Sequence, residues 1–178
     1  MIKSFQGKTP KIAPTAFVSD MAVIIGDVHI GGNASVWPGA VIRGDLGSII
    51  IGSDTAVEDN CVLHAGTPTG ASPDLEIGAN VHIGHGAVIN CRRIGSHTLI
   101  GMNATVLHDA EIGEYCIIGA ACMVSHAMKV PDRSFVAGVP AKIMGEVTPK
   151  QRRWADLGTR YYQELAKKYK TTEDISSK

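Results

Sequence analysis

Aromatic side chains are scarce in this chain: three Phe, two Trp and four Tyr make up 5% of its 178 residues. A core large enough for one domain of this length must therefore be filled mainly by Ile, Val and Leu. Charge of either sign is also missing in excess, because 17 basic residues balance 17 acidic ones. With no basic run in the body of the sequence, a nucleic-acid partner has little electrostatic support. No apolar stretch approaches membrane-spanning length, and Met1-Ile2-Lys3-Ser4 leads into no signal-peptide core, so no membrane association and a cytoplasmic location are expected. The four cysteines lack any paired-motif spacing, which argues against a disulfide framework or a thiolate zinc site.

What the chain does have is a beat of six. Ile12, Val18, Ile24, Ile30, Val36 and Ile42 recur at that interval, and after two slips so do Ile94, Ile100, Val106, Ile112, Ile118, Val124, Val130 and Val136. Four residues beyond the apolar one sits a small or modest side chain, as at Ala16, Ala22, Ala34, Ala40, Thr98, Ala104, Ala110, Cys116 and Cys122. A period of six is neither that of a helix nor that of a lone strand, and it marks a repeat architecture. The physical reading is an all-β solenoid of triangular section. Each hexad makes one short strand and one corner, three hexads make a coil, and coils stack at about 4.8 Å. Each coil buries its apolar side chains only by stacking on its neighbours. Cys116 and Cys122 then read as corner filler.

The interruptions of the beat carry the chemistry. Residues one coil apart become neighbours, so Val62-Leu63-His64, Val88-Ile89-Asn90, Val106-Leu107-His108 and Val124-Ser125-His126 are expected to stack in one column. The step from His64 to Asn90 is eight residues longer than a coil, which fits a Gly- and Pro-rich loop spanning Gly66 to Pro73 that protrudes from a corner beside them. A second slip, one residue short, lies between Ile83 and Ile94 and is read as the hexad containing His85. Histidine is the commonest metal ligand, and a catalytic zinc needs three protein ligands with an open position. His64 and His85 are candidates for such a set. The competing reading is that they pair with backbone or water. His29, His82 and His97 are read as surface or hydrogen-bonded residues at turns and strand ends.

Three segments resemble the signature of the γ-class carbonic anhydrase-like hexapeptide-repeat family: Ser35-Val36-Trp37-Pro38-Gly39-Ala40-Val41-Ile42-Arg43-Gly44-Asp45, Glu58-Asp59-Asn60-Cys61-Val62-Leu63-His64 and Val81-His82-Ile83-Gly84-His85-Gly86-Ala87-Val88. The likeness runs over essentially the whole chain. It is similar in particular to the branch associated with phenylacetate and carnitine metabolism, whose terminal helix the Gly158-Thr159-Arg160-Tyr161-Tyr162 stretch resembles. The resemblance implies a left-handed parallel β-helix and a homotrimer with zinc, or iron or cobalt, between subunits. It assigns His64 and Asn90 of one subunit and His85 of the next to the metal, and Arg43, Asp45, Glu58 and Asp59 to the pocket for CO2, bicarbonate or another carboxylate. Three positions depart from the family pattern: Asn90 replaces a ligand histidine, Glu58 a Gln and Ala56 an Asn. An amide oxygen is a weaker zinc ligand than imidazole, so CO2 hydration that is weak or lost is within the reading.

Two other functions stay open. A non-catalytic trimer could bind a carboxylate or act as a scaffold. An acyl-CoA-dependent acyltransferase would use His108 or His126 as general base, and the Gly138-Val139-Pro140-Ala141-Lys142 element resembles the end of many such domains. Beyond Pro149 the period changes: Trp154, Leu157, Tyr161, Leu165 and Tyr169 recur at three and four, which predicts an amphipathic helix whose stripe packs along a solenoid face or over a neighbouring subunit. The expected organisation is a β-helix domain over 1–147, the helix over 148–170 and a frayed polar tail over 171–178.

Overall fold

The computed structural model describes residues 1–67 and 74–172. The sixfold beat is a parallel β-solenoid of seven turns closed by one C-terminal helix. Three columns of inward side chains fill the prism, each in strict register from coil to coil. They are Ile24-Ile42-Leu63-Ile89-Val106-Val124, Ile30-Ile51-Ile77-Ile94-Ile112-Val130 and Val18-Val36-Val57-Ile83-Ile100-Ile118-Val136. From Ile24 onward these side chains are buried. Each buried Ile or Leu contributes roughly 1.5–3 kcal/mol relative to exposure, which stacks into one continuous core.

Two features make the corners. The small residues Ala22, Ala34, Ala40, Cys61, Ala87, Ala104, Ala110, Cys116 and Cys122 are buried where the chain turns. Beside many corners one residue adopts positive φ, and Asn33, Asp54, Asn60, Asn80, Asn103 and Asp109 show why Asn and Asp recur there. All four cysteines are free and buried, and burial pushes the Cys61 and Cys91 thiols up to about 12, which suits filler rather than nucleophiles.

The register relocates one expected feature. The short hexad does not contain His85: Ile83 to Ile89 is a full six, and the missing residue lies between Ile89 and Ile94. Ile89 therefore pairs with Val106, so Leu107 rather than His108 follows Asn90 in the column. His108 and His126 are displaced by one residue from the His64–Asn90 column, because a single deletion shifts every later residue of a stacked repeat. The long insertion does fall between Leu63 and Ile77, as expected, although residues 68–73 of its loop lie outside the described residues.

The solenoid ends in the turn at Gly138-Val139-Pro140-Ala141, from which Lys142–Glu146 returns antiparallel to Ser134–Ala137. The helix Pro149–Lys170 then begins at an N-cap, Thr148, whose hydroxyl and the Gln151 side chain form a reciprocal capping box. Within the chain the helix docks by its large apolar stripe only near its end, where the Tyr169 ring meets Phe17 and Trp37. Trp154, Leu157, Tyr161 and Tyr169 are exposed, while Ala155, Thr159 and Ala166 are buried. The reason is distance: a helix can lie close on a flat sheet face only where its side chains are small. Ala155 packs on Leu99 and Ile117, and a Cβ at Gly158 would come within 3.1 Å of the His82 ring. The scarce aromatics gather at the same seam, where the Trp37 ring meets Phe17, Tyr162 and Tyr169 at centroid distances of 5.2, 5.3 and 5.1 Å. Of the expected tail, 171–172 follow the helix and 173–178 lie outside the described residues.

Candidate functional site

The residues singled out in the sequence fall into two constellations at different corners. The first lies on the strand face that carries Val41–Ile51 and Val62–His64. Arg43 pairs in register with His64, and the pairing of Leu63 with Ile89 places Asn90 one coil further along. Asp45 ties the column together. Its Oδ2 accepts from Arg43 at 3.0 Å and its Oδ1 lies 2.9 Å from His64 Nε2. The other ring nitrogen of His64 faces Asn90 Nδ2 at 3.4 Å, and Asn90 Oδ1 is buried without a hydrogen-bond partner among the described residues. A buried polar atom without a partner is uncommon, and this one sits beside the His64 ring.

The second constellation is built on Glu58, whose side chain is 2% exposed. Its Oε1 lies 2.5 Å from His82 Nε2, while its Oε2 accepts the His85 backbone N–H at 2.8 Å and lies 3.2 Å from His85 Nε2. His85 Nδ1 is 2.9 Å from Asp59, and the Tyr162 hydroxyl reaches His85 Nε2 at 3.2 Å. Burial pushes the Glu58 carboxyl up, but the hydrogen bond and charge of His82, the charge of His85 and the Tyr162 hydroxyl outweigh it and hold it below the usual carboxylate value. Burial and the nearby Glu58 charge push the Tyr162 hydroxyl upward, so it stays protonated.

The expected site residues are thus not convergent within one chain. Arg43, Asp45, His64 and Asn90 are brought together, as are Glu58, Asp59 and His85. Among the described residues no three His, Cys, Asp or Glu converge with metal-holding geometry. A metal fits these residues only where a further ligand comes from a second chain. His126, one candidate base for acyl transfer, is exposed and lies 3.3 Å from Asp109.

Tyr162 escaped the sequence reading, whereas His82 was expected to be a surface or hydrogen-bonded residue. It is hydrogen-bonded, to Glu58, and it is buried under the helix because Gly158 lets the helix backbone cover it. Tyr162 reaches back across the same seam, and the Gly-Thr-x-x-Tyr stretch was its available signal: Gly158 gives close approach, Thr159 is buried, and Tyr162 follows one turn later. Alternation also pointed at His82, which shares an outward column with Ala56 and Leu99.

Comparison with known proteins agrees with this architecture. Residues 93–126 match the bacterial transferase hexapeptide (six repeats) family. The carnitine operon protein CaiE of Escherichia coli K12 is 36% identical over 162 residues, covering 91% of this chain and 81% of CaiE. Among solved structures, a putative acetyltransferase from Bacillus cereus is 36% identical with a TM-score of 0.91, covering 97% of this chain and 98% of that one. A hexapeptide transferase family protein from Anaplasma phagocytophilum is 32% identical with a TM-score of 0.88, covering 94% and 97%. The chain belongs to the hexapeptide-repeat family, in the γ-class carbonic anhydrase-like branch that includes the carnitine operon protein CaiE.

Proposed function

We propose that this chain works as a homotrimer whose small-molecule site lies at the subunit junction and carries γ-class carbonic anhydrase-like chemistry in an attenuated form. One observation carries the reading: His64 and Asn90, whose amide oxygen lacks a partner among the described residues, lie beside an apolar stripe that no described residue covers. Val23, Val41, Val62 and Val88 stack in register on the same sheet face, and Val62 and Val88 are 38% and 41% exposed. A flat β-branched stripe along the length of a prism is an association surface. A closed ring around the prism axis would bring a second chain's corner, with His85, towards His64 and Asn90.

His64, Asn90 and the neighbour's equivalent of His85 would hold zinc, iron or cobalt. A divalent ion held there would supply Lewis acidity, making water a nucleophile towards CO2 near neutral pH. The chain's own residues do the remainder. Asp45 orients both the His64 ring and the Arg43 guanidinium. Arg43, half-exposed, offers paired donors to bicarbonate or another carboxylate. Asp59 orients the His85 ring through Nδ1, and Nε2 would have to turn from Glu58 and Tyr162 to reach a metal. With an amide in place of the third imidazole, the affinity for metal is low, and turnover with it.

The test combines light scattering with cobalt titration of the wild type, Asn90→His and His64→Ala. A trimer is expected for all three. Asn90→His should bind cobalt at least tenfold more tightly than the wild type and hydrate CO2 faster, while His64→Ala should lose both. A monomer, or cobalt affinity insensitive to both substitutions, overturns the reading.

A further inference from the structure

At the prism edge opposite the face that carries the valine stripe, a cavity of about 280 Å3 lies between the last corners of the solenoid and the start of the C-terminal helix. Its walls are Tyr115, Arg133, Val147, Pro149 and Arg152. None of them belongs to either constellation, and no carboxylate is among them. The volume falls just below the roughly 300–1,000 Å3 typical of pockets for drug-sized molecules, so the occupant is small. In a trimer formed through the valine stripe this edge faces outward and stays accessible.

Tyr115 forms the floor. The corner sets its backbone at φ 57°, and the His97 ring stacks on it at a centroid distance of 4.7 Å with the planes 6° apart. The guanidiniums of Arg133 and Arg152 lie 5.2 and 5.8 Å from the centroid of the same ring. They are unequally compensated. Arg152 donates to the His97 carbonyl and, at 2.6 Å, to Asp156, and its buried Nε–H has no acceptor among the described residues. The Arg133 side chain has only the Tyr115 ring: neither its guanidinium nor the Tyr115 hydroxyl makes a hydrogen bond or ion pair among the described residues.

Two guanidiniums brought to one small cavity repel each other unless an anion lies between them. The donors around that space sit on different walls: two guanidinium edges and a phenolic O–H. A carboxylate is planar and pairs in plane with a single guanidinium fork. A phosphoryl group carries nearly two charges at neutral pH and spreads three acceptor oxygens, enough to meet all three donors. Val147 and Pro149 complete the wall with apolar atoms against which a small ester group can rest. We infer that this cavity binds a phosphoryl dianion, as the head of a small phosphate monoester or as the free ion. The site shares no residue with the proposed metal junction and does not depend on it.

The experiment is calorimetric titration of the full chain at fixed ionic strength, with chelator present, using phenyl phosphate, inorganic phosphate and benzoate. One phosphate or phenyl phosphate per chain is expected, roughly tenfold tighter than benzoate, and the tighter of the two distinguishes the free ion from a monoester. Arg133→Asn removes the uncompensated guanidinium while keeping a residue that tolerates the positive φ of this corner. It should weaken both phosphates roughly tenfold with unchanged melting temperature and oligomer size. Tyr115→Phe, which keeps the ring stack, should weaken them by a smaller factor. Arg43→Gln, at the half-exposed guanidinium of the strand-face column, should keep full affinity. No saturable heat, benzoate binding as tightly as the phosphates, or full affinity in Arg133→Asn overturns the inference. So does loss of affinity in Arg43→Gln, which would place the anion at the subunit junction.

Discussion

The two constellations share one scaffold and differ in what completes them. The Arg43–Asp45–His64–Asn90 column is written on a strand face across three successive coils, and ends in an amide oxygen buried without a partner among the described residues. The Glu58–His82–His85–Tyr162 cluster is sealed by the helix, and its carboxylate is met by two imidazoles and a backbone N–H. The first leaves a polar atom without a partner among the described residues, whereas the second has spent most of its bonding capacity inside one chain. The difference teaches that a repeat can present a site by register alone, but it needs a non-repeating element to bury a charge.

Removing the buried carboxylate should produce the largest effect. Glu58→Ala leaves His82 Nε2 and the His85 N–H without their acceptor and should destabilise the fold by about 3 kcal/mol. Denaturant unfolding at fixed chain concentration, with chelator, reads it as a lower midpoint at unchanged slope. The pH dependence follows from the depressed Glu58 carboxyl. The stability it contributes is fully present above its unfolded value of 4.5 and is lost as pH falls through the lower folded value. The gap between wild type and variant should therefore close as pH falls below 4.5; a gap that persists in acid would show that Glu58 acts by packing rather than charge.

A smaller effect, informative by its sign, comes from the seam. An exposed helical Gly→Ala change is worth about 1 kcal/mol of added stability. Gly158→Ala should instead destabilise by about 1 kcal/mol, because the new Cβ would meet a His82 ring that Glu58 holds in place. Combined with Glu58→Ala the ring is free to shift, and the penalty should shrink or reverse. Equal effects in both backgrounds would separate the helix contact from the charged cluster. The smallest change is expected on the open side. Asp45→Asn should alter stability by about 0.5–1 kcal/mol, since Arg43 at its edge is half-exposed and screened. A loss as large as that of Glu58→Ala would erase the contrast between the two constellations.

Much of this was legible in the chain. The inward columns, the corner fillers, the insertion between His64 and Asn90 and the presence of a terminal helix all follow from spacing, because a stacked coil turns sequence separation directly into spatial proximity. The same arithmetic went astray where it had to locate a single missing residue. Either hexad between Ile83 and Ile94 could have been the short one, and choosing the earlier placed His108 beneath Asn90, where Leu107 stands. Hydropathy marks the apolar stripe of the helix, but docking on the flat sheet of its own chain rewards small side chains, so Ala155, Gly158 and Thr159 face inward while Trp154, Leu157 and Tyr161 stay exposed.

Local periodicity by itself determined the solenoid and the neighbourhood of Arg43, His64 and Asn90, since each depends only on repeated steps along the chain. Tertiary structure alone decided that His82 is buried, that Glu58 is a shared acceptor and that Tyr162 reaches His85. Those contacts join residues 24 and 77 positions apart, and they exist only because a helix outside the repeat comes close enough to exclude water from them.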